Sequence, residues 1–158
     1  MTEIAIEFPD YSYRGLTDPS WIDSTYSCVL GEAFHFDGNH KNENGYDELS
    51  INWADNDNSL NYLKTLKRED ADRLKYSAGI ARLPTIKLKE MKNKYLGNFS
   101  YERKPIDGNE YHGNLLISND ILQKKALRKM ISSELAINVD LVYKFNEEDS
   151  LWYINNQV

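Results

Sequence analysis

The 158-residue chain has one cysteine, four prolines, eight glycines and three histidines, and no apolar run that approaches the length of a membrane span. A lone Cys28 excludes an internal disulfide and a cysteine-only zinc site, which leaves a small buried apolar side chain as its expected role. Acids stand at Glu3 and Glu7, where a signal peptide needs a basic start and an apolar centre, so a cytoplasmic protein with no membrane association is expected. Phosphate-cradling glycine loops, dinucleotide fingerprints, calcium loops, coiled-coil heptads and glycine-flanked serine elbows are all missing, and no cofactor is expected. Basic residues are also nearly absent from the first 63 positions, where Arg14 and Lys41 stand against acids that bring the net charge to −10.

What is present begins with that polarity. Residues 64–104 carry net +7 and residues 105–158 net −3, giving −6 for the chain. Either the acidic and basic parts face each other in the fold, or one presents a charged face to a partner. At this length one domain spanning 1–158 is expected, able to bury roughly 70% of its unfolded surface.

Apolar periodicity predicts an α+β domain with a mainly antiparallel sheet of five to seven strands, packed by one long amphipathic helix (120–136) and shorter helices. The long helix, Asp120–Ala136, sets Ile121, Leu122, Leu127, Met130, Ile131 and Leu135 on one side and Lys124, Lys125, Arg128 and Lys129 on the other. Strands are predicted over Glu3–Phe8, Glu48–Trp53, Ser77–Leu83, Phe99–Lys104, His112–Ile117, Val139–Phe145 and from Leu151 onward. Tyr11–Gly15 reads as a turn, Thr17–Ser20 opens a short helix, Asp55–Ser59 caps a helix through Leu66 with a further turn around Leu74, and Thr85–Leu96 suits either a helix or a segment that begins as a strand at Ile86 and Leu88.

Four constellations could carry chemistry. His35, Asp37 and His40, with Glu43 close by, supply imidazole and carboxylate on one polar loop, the ligand types of a zinc-dependent hydrolase. His112 stands where a turn becomes a strand, beside Gly113, and could act as a general base. Lys87, Lys89, Lys92 and Lys94 interleave with Tyr95, Phe99 and Tyr101, a composition suited to single-stranded nucleic acid. Arg14, flanked by Tyr13 and Gly15, can hold a phosphate or a nicotinamide dinucleotide by bidentate contacts.

The order Arg14, then Ser50 on a later strand, then an acid such as Glu102 or Glu110, resembles the arginine, serine, glutamate order of ADP-ribosyltransferases. The doubled-serine strand and the paired-glutamate turn of that family are not found. The resemblance implies an NAD-using transferase with Arg14 on the dinucleotide.

The leading expectation is a non-enzymatic protein-interaction module, an adaptor, inhibitor or subunit of a larger assembly. Its acidic face would hold Asp18, Asp23, Asp37, Glu43, Asp47, Asp55 and Asp57, with tyrosines and tryptophans as anchors. A protein is the first expected partner and nucleic acid the second. The enzymatic alternatives are the metal-dependent hydrolase and the NAD-using transferase.

Overall fold

Strands Tyr11–Leu16 (β1), Tyr46–Trp53 (β2), Gly79–Pro84 (β3), Phe99–Arg103 (β4), His112–Ser118 (β5), Leu141–Asn146 (β6) and Leu151–Asn156 (β7) form one sheet in the order β4-β5-β2-β1-β3-β6-β7. Every neighbouring pair is antiparallel. The structure, a computed structural model, describes residues 7–25, 27–69 and 71–156. The strand expected over Glu3–Phe8 therefore lies outside the described residues except for Glu7 and Phe8, which belong to no strand. Phe8 is described, and its ring packs on Trp53 and Tyr101.

Helices Asp57–Thr65 (α1), Thr85–Lys94 (α2), Asn119–Gln123 (α3) and Lys125–Asn138 (α4), with a 3-10 turn at Gly31–Phe34, complete a mixed α+β architecture. Strand alternation sends Leu49, Ile51, Trp53, Leu115, Ile117, Ala81 and Leu83 to one face, where they meet Phe34, Leu88, Met91, Ile121, Ile131 and Leu135 in the main core. A smaller cluster on the second face joins Tyr13, Ile80 and Leu63 of α1, flanked by Tyr62, Tyr76, Tyr143 and Trp152. No helix is long and apolar enough to cross a membrane among the described residues.

Two elements differ from their sequence patterns. The single helix expected over Asp120–Ala136 is two helices, broken at Lys124 with φ −100° and ψ 91°. Ser118 caps α3 by accepting from the Ile121 amide, while Arg128 uses Nη1 to donate to the Leu122 carbonyl that the break leaves open. The buried stripe of α4 is then Ile131, Ser132, Leu135 and Ala136, and Met130, expected inward, lies opposite it at 50% exposure. Tyr11–Gly15, expected as a turn, belongs to central strand β1. Its register comes from β2 on one side and β3 on the other, a tertiary constraint that overrides weak local alternation. The segment around Leu74 is a loop closed by a Lys67–Leu74 bridge instead of a helical turn.

Candidate functional site

The sheet opens between β1 and β2. Only Ser12–Trp53 and Tyr13–Asn52 pair there, although the strands are six and eight residues long, whereas β2 pairs with β5 from Tyr46 to Asn52. Arg14 occupies the gap. Its alternation mates Ser12 and Leu16 are buried, and its guanidinium donates from Nε to the Ala33 carbonyl at 3.0 Å and from Nη1 to the Ser50 carbonyl at 2.9 Å. Burial pulls the Arg14 pKa down to about 10, with a smaller opposing contribution from Tyr76, so the side chain is charged at neutral pH. Among the described residues no carboxylate forms an ion pair with it.

Two cavities share Arg14, Ser50, Ile106 and His112 in their walls. The first, about 490 Å³, extends past Glu48 and Asn114 toward Trp21, Glu32, His35, Asp37 and His40. The second, about 220 Å³, extends past Asn52 toward Tyr13, Tyr62, Lys75 and Tyr76. Their shared walls make them two lobes of one cleft region, with the Arg14 cation bordering both. The first lobe by itself is in the range that holds a small-molecule ligand, roughly 300–1,000 Å³.

The hydrogen bonds in this cleft fix several orientations. Asn109 Oδ1 accepts from the Tyr111 amide, so its Nδ2 is the group that donates to Asn52 Oδ1 at 2.9 Å. Asn52 Nδ2 is thereby left as a buried donor with no partner, one of two such side-chain atoms among the described residues, the other being Ser12 Oγ. Asn52 is 5% exposed and lines the second lobe. On β5, Asn114 donates to Glu48 and to Glu102, the latter at 3.0 Å, and Lys104 Nζ lies 3.2 Å from Glu48 Oε2. His112 contacts the Lys104 carbonyl through Nδ1 at 2.9 Å and Ser50 Oγ through Nε2 at 3.2 Å.

The structure thus brings together Arg14 and His112, which the sequence singled out separately, and adds Ser50, Asn52, Glu48 and Asn114. Ser50 was legible only through the order resemblance; Asn52 and Asn114 carry no signal that sequence reasoning could use. Of the two acids in that resemblance, Glu102 touches the cleft through Asn114, and neither Glu102 nor Glu110 lines either cavity. Gly113 serves the core face: the Trp53 indole crosses over it and donates from Nε1 to the Glu102 carbonyl at 3.0 Å.

His35, Asp37 and His40 all border the first lobe, yet no group of three or more His, Cys, Asp or Glu side chains among the described residues is arranged to hold a metal ion. His40 Nδ1 is 3.6 Å from Asp37 Oδ1 at the exposed rim, and Asp37 is held below the usual carboxylate range chiefly by the Asn39 amide.

The proposed acidic face is largely engaged in local structure. Asp18, Asp23 and Asp37 each accept from the amide two residues on. Asp47 is buried at 1% exposure, accepting from the Gly38 and His40 amides, and so does not belong to an exposed face. Asp55 takes a bidentate pair from Arg103, both bonds 2.6 Å, and Asp57 opens α1. Glu43 is exposed.

Lys87, Lys89, Lys92 and Lys94 lie on α2; Lys92 sits 5.5 Å from the ring centre of Tyr101 on β4, and Lys94 pairs with Glu134 at 3.2 Å. The charge segregation of the sequence closes on itself at Arg103–Asp55 and Lys104–Glu48, where the basic middle meets the acidic first third. Comparison with protein-family models, curated proteins and solved structures finds no match to this chain.

Proposed function

We propose that the protein is a transferase that takes a dinucleotide of the NAD class as donor, with Arg14 anchoring its phosphates. The observation that carries this reading is the half-buried Arg14 guanidinium, which among the described residues meets two neutral carbonyls and no carboxylate. A partly desolvated cation without a counter-charge gains from an anionic ligand seated in the cleft. Guanidinium geometry suits a phosphate pair.

The second lobe supports the nucleotide class. Asn52 Nδ2 is a buried donor without a partner in the wall of this lobe, and Tyr62 and Tyr76 offer rings against which a planar base can pack. The likeness to the arginine, serine, glutamate order of ADP-ribosyltransferases agrees in Arg14 and Ser50, which share the cleft walls.

Thermal unfolding with and without NAD+ tests the reading. A ligand at 100 times its Kd stabilises by about 2.7 kcal/mol. NAD+ is expected to raise the Tm of the native chain and to leave that of Arg14→Met unmoved. No shift in the native chain at millimolar NAD+ would sink the proposal.

A second reading, a protein-interaction module, is favoured by edge strand β7, where Leu151, Tyr153 and Ile154 are exposed. Sedimentation of the protein with candidate partners tests it through Leu151→Lys and Ile154→Lys, which should release any partner that pairs there.

A further inference from the structure

His112 opens β5 and is tied to Lys104 of the preceding hairpin arm in both directions. The Lys104 amide donates to the His112 carbonyl at 2.9 Å, and the imidazole Nδ1 lies 2.9 Å from the Lys104 carbonyl. A carbonyl can only accept, so Nδ1 carries the ring proton, and in the neutral ring Nε2 is left bare. That lone pair points at Ser50 Oγ, 3.2 Å away, so the hydroxyl is the donor. A backbone carbonyl thereby sets the tautomer and the ring plane of a base whose free nitrogen faces the cleft.

The charged groups next to it on the sheet are engaged elsewhere. Glu48, from β2, accepts from Asn114 and from Lys104; Glu102, from β4, accepts from Asn114; Arg14, from β1, is bound to the Ser50 and Ala33 carbonyls. Glu32, His35, Asp37 and His40 line the first lobe with it. His112 is the group at the junction of the lobes whose lone pair is held by nothing firmer than a serine hydroxyl.

We infer that His112 is the proton acceptor of the site and that the second substrate is a hydroxyl compound, or water, which displaces the Ser50 hydroxyl from Nε2. The inference rests on the dinucleotide-donor reading above. As the acceptor oxygen bonds to the ribosyl carbon of the donor, its proton passes to His112 Nε2. The bond from that carbon to the pyridinium nitrogen breaks, and its electron pair stays with the ring, which leaves as neutral nicotinamide. No oxidant or reductant is required. Ser50 acts as a positioning residue, holding the imidazole across β2 and β5 until the acceptor arrives.

The test uses NAD+ as donor and water as acceptor, with nicotinamide release followed for the native chain, His112→Ala, His112→Asn and Ser50→Ala, and NAD+ affinity measured by calorimetry. Removing a general base typically costs 10²–10⁴ in rate, so His112→Ala should lose about 100-fold or more in turnover with NAD+ affinity unchanged, and added imidazole should restore part of it. His112→Asn places an amide nitrogen where Nδ1 stands and so keeps a donor for the Lys104 carbonyl but no proton acceptor, and it should be as slow, which keeps the test valid if the alanine variant folds poorly. Native turnover in the folded His112 variants would overturn the role of His112 and leave the donor reading standing. A native chain that neither binds nor consumes NAD+ would overturn both.

Discussion

Arg14 and Ser50 are joined by a bond that no β-ladder contains: a guanidinium nitrogen donates to the main-chain carbonyl of the neighbouring strand at 2.9 Å, in the gap where β1 and β2 have ceased to pair. Because the same guanidinium also reaches the Ala33 carbonyl, its length and planarity matter as well as its charge. Arg14→Lys is expected to keep the fold and bind NAD+ about tenfold or more weakly, the loss of roughly one charge-assisted hydrogen bond. Calorimetric titration measures it, and equal affinity would show that charge alone suffices.

Two glycines separate the fold from the cleft. A Cβ on Gly113 would overlap the Trp53 indole nitrogen and the Glu102 carbonyl, neither of which can yield without breaking their mutual hydrogen bond in the core. Gly113→Ala should cost about 3 kcal/mol or more in urea unfolding. A Cβ on Gly15 would instead meet the Tyr76 ring, which is half-buried and forms a wall of the second lobe. Gly15→Ala should leave the protein folded and alter ligand binding, and the reverse ranking of the two variants would refute this division.

Arg82 and Asp140 clamp β3 to the start of β6. Nε and Nη2 donate to the two carboxylate oxygens at 3.0 and 2.7 Å, and the guanidinium lies 4.0 Å from the Tyr11 ring centre. The pair is partly exposed, so solvent screening limits its worth. Asp140→Asn and Arg82→Lys should each cost on the order of 1 kcal/mol, and the double variant should cost less than their sum.

Burial beneath α1, with further contributions from Tyr143, pushes the Tyr13 hydroxyl up to about 12 from its usual 10. The folded state therefore keeps this proton where the unfolded chain has lost it. Stability linked to Tyr13 is fully present below pH 10 and declines as pH rises from 10 to 12. Tyr13→Phe should flatten that part of the curve of Tm against pH; an unchanged curve would mean that other groups govern alkaline unfolding.

The alternation at Leu49–Trp53, the helix entries within Thr17–Ser20 and Asp55–Ser59 and the strands over Val139–Phe145 and from Leu151 onward were readable from residue order, because each is a local preference of backbone or side chain. The break at Lys124 was not, since the apolar stripe runs across it and the Arg128–Leu122 bond that accommodates it is a side-chain choice. Asp47 read as a surface acid for the same reason: nothing in the sequence says that the Gly38 and His40 amides will close around it.

Residue order alone carries the α+β class, most strand and helix positions, the lack of internal disulfides and the prominence of Arg14 and His112. These follow from periodicity, turn chemistry and composition, each of which acts over a few residues. Residue order does not show that β1 lies at the centre of the sheet, that it parts from β2 after Tyr13, or that Arg14, Ser50, Asn52 and His112 meet there. Strand order and the point where a ladder stops are set by packing between segments up to a hundred residues apart, and the cleft exists because of that packing.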